Sequence, residues 1–259
     1  MRDQITIITP SLNSGSTIKK CIDSVKSQVN IKLNHIIVDG GSNDNTLEIL
    51  KSNKSNYKIL RKSSIYEALN YGFKFSNSEL VGFLNSDDYY AKNDILSKVY
   101  GFYKANSNFE IYYGNCNFVN EKGTMLYKLI SPNKHNFVLQ KLRLFSISHP
   151  TWFIKHDYFE KNLMFDTSLK YVSDCDFIIR ALKNKFRFKK IHLDMVNFQI
   201  HNSNASNTNN AKKEWFYLLE RYNSSSYFYV LLNKILMILL YCRDPKYFFY
   251  KFNKAINSL

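Results

Sequence analysis

Two stretches of the chain place acidic residues directly after apolar runs. In IIVDGGSNDNT (36–46) an Ile-Ile-Val run ends at Asp39, two glycines and small polar residues. In VGFLNSDDYY (81–90) another apolar run ends in Asn-Ser-Asp-Asp (85–88). Carboxylates can hold a hard divalent cation, which in turn binds and neutralises phosphate oxygens. The two stretches predict one polar site where two strands end.

A third acidic stretch opens a helical pattern in SDCDFIIRALKN (173–184), with Asp174 and Asp176 in its first turn. A carboxylate there can accept a proton from an attacking hydroxyl group as a general base. It can equally serve as a helix cap, because Asp is favoured at helix N-termini. Both interpretations stay open at this level.

The elements that must position these acids alternate between strand and helix. Strand signals occur at residues 4–10, 35–41, 57–60 and 80–84, and helix signals follow them near residues 18–25, 45–50, 65–75 and 93–105. Asn45 and Glu48 form a capping-box pattern at the second helix. Such alternation predicts parallel βαβ units, in which ligands bind beyond the carboxyl ends of the strands. Residues 116–130 predict a hairpin that turns near residues 121–123.

Composition narrows the class of protein. The chain has 259 residues, of which 45% are hydrophobic, enough for a substantial core, and a net charge of +15. That charge favours an anionic partner (nucleic acid, an anionic membrane or a phosphorylated substrate), or it reflects a general bias towards lysine. The four cysteines show no paired spacing, and residues 1–10 lead straight into a strand. We therefore expect reduced thiols and a cytoplasmic enzyme.

Four segments together resemble the inverting nucleotide-sugar glycosyltransferases of family two, in particular the colanic-acid and O-antigen type. They are residues 5–28, 35–50, 82–90 and 149–182. The resemblance covers roughly residues 4–205 and implies a GT-A fold: a Rossmann-like α/β domain with a mostly parallel sheet flanked by helices. It also implies a nucleoside diphosphate sugar donor and a Mg²⁺ or Mn²⁺ cofactor.

The resemblance assigns the donor side of the site. The residues that it implies in nucleotide binding are Pro10, Ser11, Asn13, Asp39, Asp44, Asn85 and Ser86. For Asp44, helix capping is an equal explanation. The segment at 85–88 matches a metal motif that usually begins with an acid, so Asn85 departs from the pattern and puts a first-position contact in doubt. Asp87 is the implied metal ligand, with Asp88 and His201 as further candidates.

The resemblance also assigns the catalytic and acceptor side. Asp174 is the implied catalytic base, with Asp176 as the fallback. His149 and Trp152, in SHPTWF (148–153), are the acceptor-side candidates, although a single histidine is more often structural. The expected acceptor is a glycan or a lipid-linked sugar in surface polysaccharide synthesis, and the expected donor is a UDP-sugar carrying a hexosyl or N-acetylhexosaminyl group.

The chain divides into a catalytic domain, residues 1–205, and a basic, aromatic helical tail, residues 206–259. Residues 226–259 contain five basic residues and one acidic residue among many Tyr and Phe side chains. Their apolar runs are too short to span a bilayer, so we expect the tail either to lie on an anionic membrane or to pack on the domain.

Two other functions fit the sequence less well. A sugar nucleotidyltransferase would ordinarily carry a glycine-rich phosphate loop with a basic residue, which TPSLNSGST (9–17) lacks. A nucleic-acid-binding module rests on charge alone and leaves the acids at both strand ends unexplained. We therefore expect no nucleic-acid partner and a location at the inner face of the cell membrane or free in the cytoplasm.

Overall fold

The computed structural model describes residues 3–133, 147–161, 164–201 and 209–222. Its first half alternates strands and helices. In chain order these are β1 (Asp3–Ser11), α1 (Ile18–Lys26), β2 (Leu33–Asp39), α2 (Thr46–Ser52), β3 (Asn56–Ile59), α3 (Ile65–Phe73) and β4 (Ser78–Phe83). The four strands pair in parallel in the order β3-β2-β1-β4. The predicted βαβ units are confirmed.

The second half adds strands of both directions. In chain order its elements are β5 (Tyr89–Tyr90), α4 (Ile95–Ala105), β6 (Ile111–Val119), β7 (Met125–Leu129), a 3₁₀ turn (His149–Thr151), β8 (Phe153–Lys155), α5 (His156–Glu160), α6 (Ser173–Lys183), β9 (Phe188–Gln199) and α7 (Asn209–Arg221). The hairpin between β6 and β7 turns at Gly123, whose positive φ of 80° suits glycine.

Strand direction brings several strand ends to one edge of the sheet. The sheet continues from β4 through β8, β6 and β9 to β5, and β7 pairs with β6. Since β8 is antiparallel to both β4 and β6, and β9 is parallel to β6, strands β6 and β9 run in the same direction as β1–β4. The carboxyl ends of β1, β2, β4 and β9 therefore lie along the same edge.

The two faces of the sheet are covered by different helices. Alternate residues of one strand face opposite sides, as Ile7 and Ile8 do in β1. Ile7 belongs to a cluster with residues of α1 and α4, whereas Ile8 belongs to a cluster with residues of α3, α5 and α6. Both residues are fully buried. Because helices cover both faces, the central strands read as continuous apolar runs.

One local prediction was wrong. α2 begins at Thr46 as expected, but Asn45 makes no side-chain cap hydrogen bond, so the predicted capping box does not form. The φ and ψ of Asn45 are −75° and 8°, outside the extended region that a capping residue normally adopts. A complete capping box occurs instead at α3, between Ser64 and Glu67.

Helix α7 lies in the part of the chain that the sequence assigned to the tail. It packs through Trp215, Leu218 and Leu219 on a cluster that includes Leu169 of the preceding loop and Ile179 of α6. The predicted membrane-facing residues, 226–259, lie outside the described residues. None of the helices in the described part of the chain combines the length and apolar character that crossing a bilayer requires.

Candidate active site

The loop after β2 is organised around Asp39, which is fully buried. Its Oδ1 atom accepts hydrogen bonds from the backbone N–H groups of Gly41 (2.9 Å) and Ser42 (2.7 Å). Its Oδ2 atom accepts from the hydroxyl groups of Ser11 (3.2 Å) and Ser42 (2.7 Å). These four bonds use the acceptor capacity of a carboxylate. Asp39 thus shapes the loop, and its contact with a nucleobase stays a prediction.

Glycine at position 41 is required by this turn. Its φ is +95°, a conformation that L side chains rarely adopt. A Cβ atom there would also lie 3.3 Å from Cγ of Arg61. The Gly41 N–H can therefore point at Asp39 because no side chain opposes the turn.

The loops after β1 and β2 are joined by reciprocal hydrogen bonds. Asn13, with a positive φ of 49°, donates its backbone N–H to Ser42 Oγ (2.8 Å), and its Oδ1 accepts from the Asn43 N–H (2.9 Å). Ser14 donates its backbone N–H to Thr46 Oγ1 (2.8 Å). The two strand ends therefore form a single rigid wall. Pro10 lies in β1 opposite Val38 and is buried in the same wall.

Asp44 belongs to this wall as well. Its Oδ2 accepts from the Gly15 N–H (2.9 Å), and its Oδ1 accepts from the N–H (3.0 Å) and the hydroxyl group (2.5 Å) of Thr46. Desolvation raises the pKa of Asp44, but the hydrogen bonds from Thr46 and Gly15 together outweigh it and lower that pKa. The two bonds from Thr46 support the interpretation that Asp44 stabilises the start of α2. The bond from Gly15 adds a link between the two loops.

The Asn-Ser-Asp-Asp segment lies against this wall. Ser86 Oγ is 2.8 Å from Ser14 Oγ. Asn85 donates its Nδ2 to Asp88 Oδ2 (2.9 Å), and the Gln199 N–H donates to Asp88 Oδ1 (3.0 Å). Asp88 is fully buried, and burial followed by the adjacent Asp87 charge raises its pKa well above the usual range. Oδ1 of Asp88 thus ties the segment to the end of β9, and its Oδ2 holds the turn within the segment.

Asp87 meets a histidine from the far end of the chain. Asp87 Oδ2 and His201 Nε2 are 2.7 Å apart, and each side chain is 21% exposed. His201 lies two residues after β9, and Asp87 lies four residues after β4, so the meeting results from the shared direction of the two strands. The structure brings together the two residues that the sequence proposed on the metal side, while Asp88 faces inward.

The donor atoms of Asp87 and His201 fit a divalent cation that binds a diphosphate. A carboxylate oxygen suits Mg²⁺ and Mn²⁺, and an imidazole nitrogen is a common ligand of transition-metal ions. Mg²⁺ in nucleotide sites usually takes one or two protein ligands, and phosphate oxygens and waters complete its shell. A pair of protein ligands at the sheet edge matches that arrangement better than a closed protein cage would.

The two candidate bases occupy different surroundings. Asp176 is fully buried, and its carboxylate accepts from Arg180 Nε (2.6 Å) and from the Tyr222 hydroxyl group (2.7 Å). Asp174 is half-buried, and its Oδ1 accepts from the Tyr66 hydroxyl group (3.1 Å) and the Cys175 N–H (2.8 Å). Within the described residues no hydrogen bond engages Asp174 Oδ2. Both oxygens of Asp176 thus accept hydrogen bonds from neighbouring side chains, and Asp174 as the base stays a prediction.

Sequence reasoning missed Tyr66, which lies on α3 and is 6% exposed. Its hydroxyl group also lies 3.3 Å from the Tyr171 carbonyl oxygen. Burial and then the Asp174 charge hold the pKa of Tyr66 well above its usual range, so the hydroxyl group stays protonated and donates. An aromatic residue on the apolar face of a helix normally indicates core, and the local sequence carries no signal for this contact.

The acceptor-side candidates form an aromatic cluster near Asp174. The His149 ring stacks on Phe83, with centroids 5.2 Å apart, and contacts Trp152 edge-on at 4.9 Å. Burial lowers the pKa of His149 to about 4, and the nearby Asp174 charge opposes that shift only in part. His149 is therefore neutral at pH 7. Phe83 ends β4, four residues before Asp87, and Asp174 lies close enough to His149 to affect its pKa.

Two buried donor positions in this cluster have no partner among the described residues. His149 Nε2 and Trp152 Nε1 are inaccessible to solvent and make no hydrogen bond with the described residues. Trp152 as a whole is only 1% exposed. Buried polar atoms are normally paired, so such atoms next to a site are positions for a water or a ligand hydroxyl group. Their place in the acceptor path stays a prediction.

An open cleft adjoins the helix that carries Asp174. It has a volume of about 540 Å³ and lies between residues 168–171 and α7. Its lining includes Lys170, Tyr171, Lys213 and Tyr217, and the Tyr217 ring is 55% exposed. The cleft thus offers two cations and two aromatic rings beside the candidate base.

Comparison with known proteins identifies the family. The sequence profile described as glycosyl transferase family 2 matches residues 6–163, more than half of the chain. The chain belongs to glycosyl transferase family 2. The matched residues include both donor-side loops, the Asn-Ser-Asp-Asp segment and the aromatic cluster around His149. The family-two resemblance inferred from the sequence is confirmed.

Curated relatives support the same family. The chain is 27% identical over 214 residues to an uncharacterized glycosyltransferase, RT0329, of Rickettsia typhi, covering 79% of this chain and 66% of that protein. It is 27% identical over 236 residues to the chondroitin synthase of Pasteurella multocida, covering 87% of this chain and 24% of the synthase. The chain thus spans between about a quarter and two thirds of these two relatives.

Solved structures share the fold. Staphylococcus aureus TarS 1–349 in complex with UDP-GlcNAc superposes with a TM-score of 0.69 at 20% identity, covering 83% of this chain and 64% of TarS 1–349. The mannosyltransferase PcManGT of Pyrobaculum calidifontis, in complex with GDP-Man and Mn²⁺, gives 0.64 at 12% identity, covering 100% of this chain and 81% of PcManGT. The predicted α/β glycosyltransferase fold, GT-A, is confirmed.

Proposed function

We propose that this family-two glycosyltransferase is a metal-dependent inverting enzyme that transfers a sugar from a nucleoside diphosphate sugar. The observation that carries the proposal is the meeting of Asp87 and His201, 2.7 Å apart, at the edge where the nucleotide loops end. Paired donors there suit a cation that binds a diphosphate. Asp174 lies near the aromatic cluster around His149, where an acceptor hydroxyl group would approach.

The expected donor is a UDP-sugar bound by the wall of loops after β1 and β2. The neighbouring structure of TarS was obtained with UDP-GlcNAc, which supports a uridine donor and an N-acetylhexosaminyl or hexosyl group. Backbone and hydroxyl groups of Ser11, Asn13 and Ser86 line this wall. Asp39 holds its shape through the loop backbone.

Asp87 and His201 are the residues that would hold Mg²⁺ or Mn²⁺. The ion would neutralise the charge that develops on the departing diphosphate. Asp88 keeps the segment in place by bonding Asn85 and the Gln199 N–H, and it thereby sets the position of Asp87.

Asp174 would act as general base in a single displacement. Its carboxylate takes the proton of the acceptor hydroxyl group while that oxygen forms a bond to the anomeric carbon. The bond between the anomeric carbon and the donor phosphate oxygen breaks, and the nucleoside diphosphate leaves with the bonding electrons. Attack from the face opposite the leaving group inverts the anomeric configuration.

The acceptor is expected to be a glycan or a lipid-linked sugar. The cleft beside α6 supports this expectation, because the Tyr171 and Tyr217 rings can stack on sugar rings and its lysines can bind anionic groups. The basic and aromatic composition of residues 226–259 supports docking at an anionic membrane surface, where a lipid-linked acceptor would lie.

A thermal-shift screen tests the donor and the metal together. A ligand that binds only the folded state raises the unfolding temperature. UDP-sugars with Mn²⁺ should raise it, and the same nucleotides with EDTA should not. GDP-sugars with Mn²⁺ serve as the control for the identity of the nucleobase. Equal shifts with and without Mn²⁺, or no shift with any nucleotide sugar, would contradict the proposal.

A further inference from the structure

Glu214 of α7 binds the backbone that leads into the helix of the candidate base. Its Oε1 accepts from the Lys170 N–H (2.7 Å), and its Oε2 accepts from the Tyr171 N–H (2.6 Å) and the Val172 N–H (3.0 Å). α6 begins at the very next residue, Ser173. A single side chain therefore fixes three successive peptide groups just before the catalytic helix.

Three successive N–H groups that converge on one point form an anion-binding concavity. In this chain a carboxylate from a distant helix occupies that concavity. The sequence separation between Glu214 and these residues is 42 to 44. Glu214 also lies beyond residues 6–163, the part that matches the family profile. The contact is thus supplied by the part of the chain that follows the matched segment.

The attachment of α7 does not depend on Glu214. Trp215, Leu218 and Leu219 bury α7 on the apolar cluster around Ile179. Arg221 adds an ion pair to Asp166 (2.5 Å). Because these contacts hold the helix, Glu214 can be altered while α7 stays in place, and its effect on the loop can be measured separately.

Besides the chain itself, one hydroxyl group links the loop to the Asp174 side chain. The Tyr66 hydroxyl group contacts both the Tyr171 carbonyl oxygen (3.3 Å) and Asp174 Oδ1 (3.1 Å). The peptide N–H of the same Tyr171 is bound by Glu214. Displacement of this segment therefore changes the placement of the hydroxyl group that orients Asp174.

We propose that Glu214 is a positioning residue for catalysis, which fixes residues 170–172 and, through Tyr66, the orientation of the Asp174 carboxylate. This inference rests on the proposed function, because it takes Asp174 as the base. Glu214 also lines the cleft proposed for the acceptor, so its positioning role is measured on UDP release with water as the acceptor. Its removal should slow transfer without weakening donor binding.

The first test is Glu214→Gln in the full chain, with Glu220→Gln as the matched control. Glu220 lies on the same helix and is exposed. Misplacement of a catalytic group by about 1 Å can cost about 100-fold in rate. We expect kcat for UDP release from the active UDP-sugar to fall between about tenfold and 100-fold in Glu214→Gln. The donor KM should stay within about twofold, and Glu220→Gln should match the wild type.

A purely structural role of Glu214 predicts different values of kcat and donor affinity. If kcat per folded molecule is unchanged in Glu214→Gln, or if donor affinity falls by the same factor as kcat, the proposal is overturned. The folded fraction is measured by thermal unfolding of each variant in the same buffer. This measurement separates a slow, folded enzyme from a partly unfolded one.

A double-mutant cycle with Tyr66→Phe tests whether Glu214 acts on Asp174 through the Tyr66 hydroxyl group. If Glu214 acts through Tyr66, the double variant should lose no more rate than the more damaged single variant, since the second change removes a link already broken. Independent, multiplicative losses would overturn the route. Asp174→Asn is included to separate the two proposals. If Asp174→Asn stays active, the proposed function fails; if it is inactive while Glu214→Gln is fully active, only this inference fails.

Discussion

Asp87 Oδ2 and His201 Nε2 lie 2.7 Å apart, although 114 positions separate the two residues in the chain. Their meeting follows from the parallel direction of β4 and β9, which ends both strands at one edge of the sheet. The adjacent Asp88 points the other way and is bonded by Asn85 and by the Gln199 N–H. The segment thus combines one partly exposed candidate ligand with one buried anchor.

The first prediction concerns the metal pair. Asp87→Ala and His201→Ala should each abolish the Mn²⁺-dependent part of UDP-sugar binding, because each removes one of two protein donors. The fold should survive, since both side chains are partly exposed. Isothermal titration with and without Mn²⁺ measures this. His192→Ala, at an exposed position of β9, is the control and should bind as the wild type does. Wild-type affinity in both metal-site variants would contradict the assignment.

The second prediction separates the two acids of α6. Asp174→Asn should keep donor affinity and folding and lose transfer, because it removes proton acceptance with little change in volume. Asp176→Asn should instead lower the free energy of unfolding by about 3 kcal/mol, since it leaves the Arg180 charge without its partner. Chemical denaturation and UDP release measure the two effects. A stable, inactive Asp176→Asn beside an active Asp174→Asn would reverse the roles.

The third prediction concerns acid stability. Burial lowers the pKa of both His149 and His35 to about 4. Below their ordinary pKa of about 6.5 the unfolded chain binds protons that the folded chain does not. The free energy of unfolding should therefore fall as pH drops from about 6.5 to 4, by at most about 1.4 kcal/mol per pH unit for each histidine.

His149→Phe keeps an aromatic ring against Phe83 and removes one of these two groups. Its unfolding free energy should therefore decline less steeply than that of the wild type between pH 7 and pH 5. Urea denaturation across this range measures the slope. A variant that is as acid-sensitive as the wild type would show that His149 is protonated in the folded protein.

The fourth prediction concerns the tail. A chain ending at residue 222 keeps α7 and should bind UDP-sugars, but it should no longer sediment with anionic vesicles. Apolar burial and about 1 kcal/mol per basic residue near an anionic surface would supply the binding of the full chain. That binding should weaken with salt, because the screening length falls to about 3 Å at 1 M. Loss of folding in the shortened chain would support packing on the domain instead.

The sequence predicted the sheet edge well because the signal is local. β2 and β4 each end an apolar run at polar residues, and the shared strand direction places these ends together. The sequence alone therefore assigns Asp39 and Asp87 to one edge of the sheet. The hairpin near Gly123 was equally predictable, because its turn chemistry is contained in a few adjacent residues.

The partners of the acids were not predictable in the same way. The difference between Asp87 and Asp88 depends on β5 pairing with β9, which no local pattern indicates. In the sequence Asp176 is the fallback base, but the hydroxyl group of Tyr222, 46 positions away, donates to its carboxylate. Glu214 and Tyr66 are similar cases, because their contacts depend on how separate helices pack. Long-range pairing carries little trace in a single sequence.

The stereochemistry of the first sugar released tests the account most directly. With Mn²⁺ and the UDP-sugar that binds, water can replace the acceptor, and proton NMR can follow the anomer formed before mutarotation. An α-linked donor should give the β-anomer first, at a rate that Asp174→Asn and EDTA both suppress. An initial α-anomer, or a rate that either EDTA or Asp174→Asn leaves unchanged, would contradict a metal-dependent single displacement with Asp174 as its base.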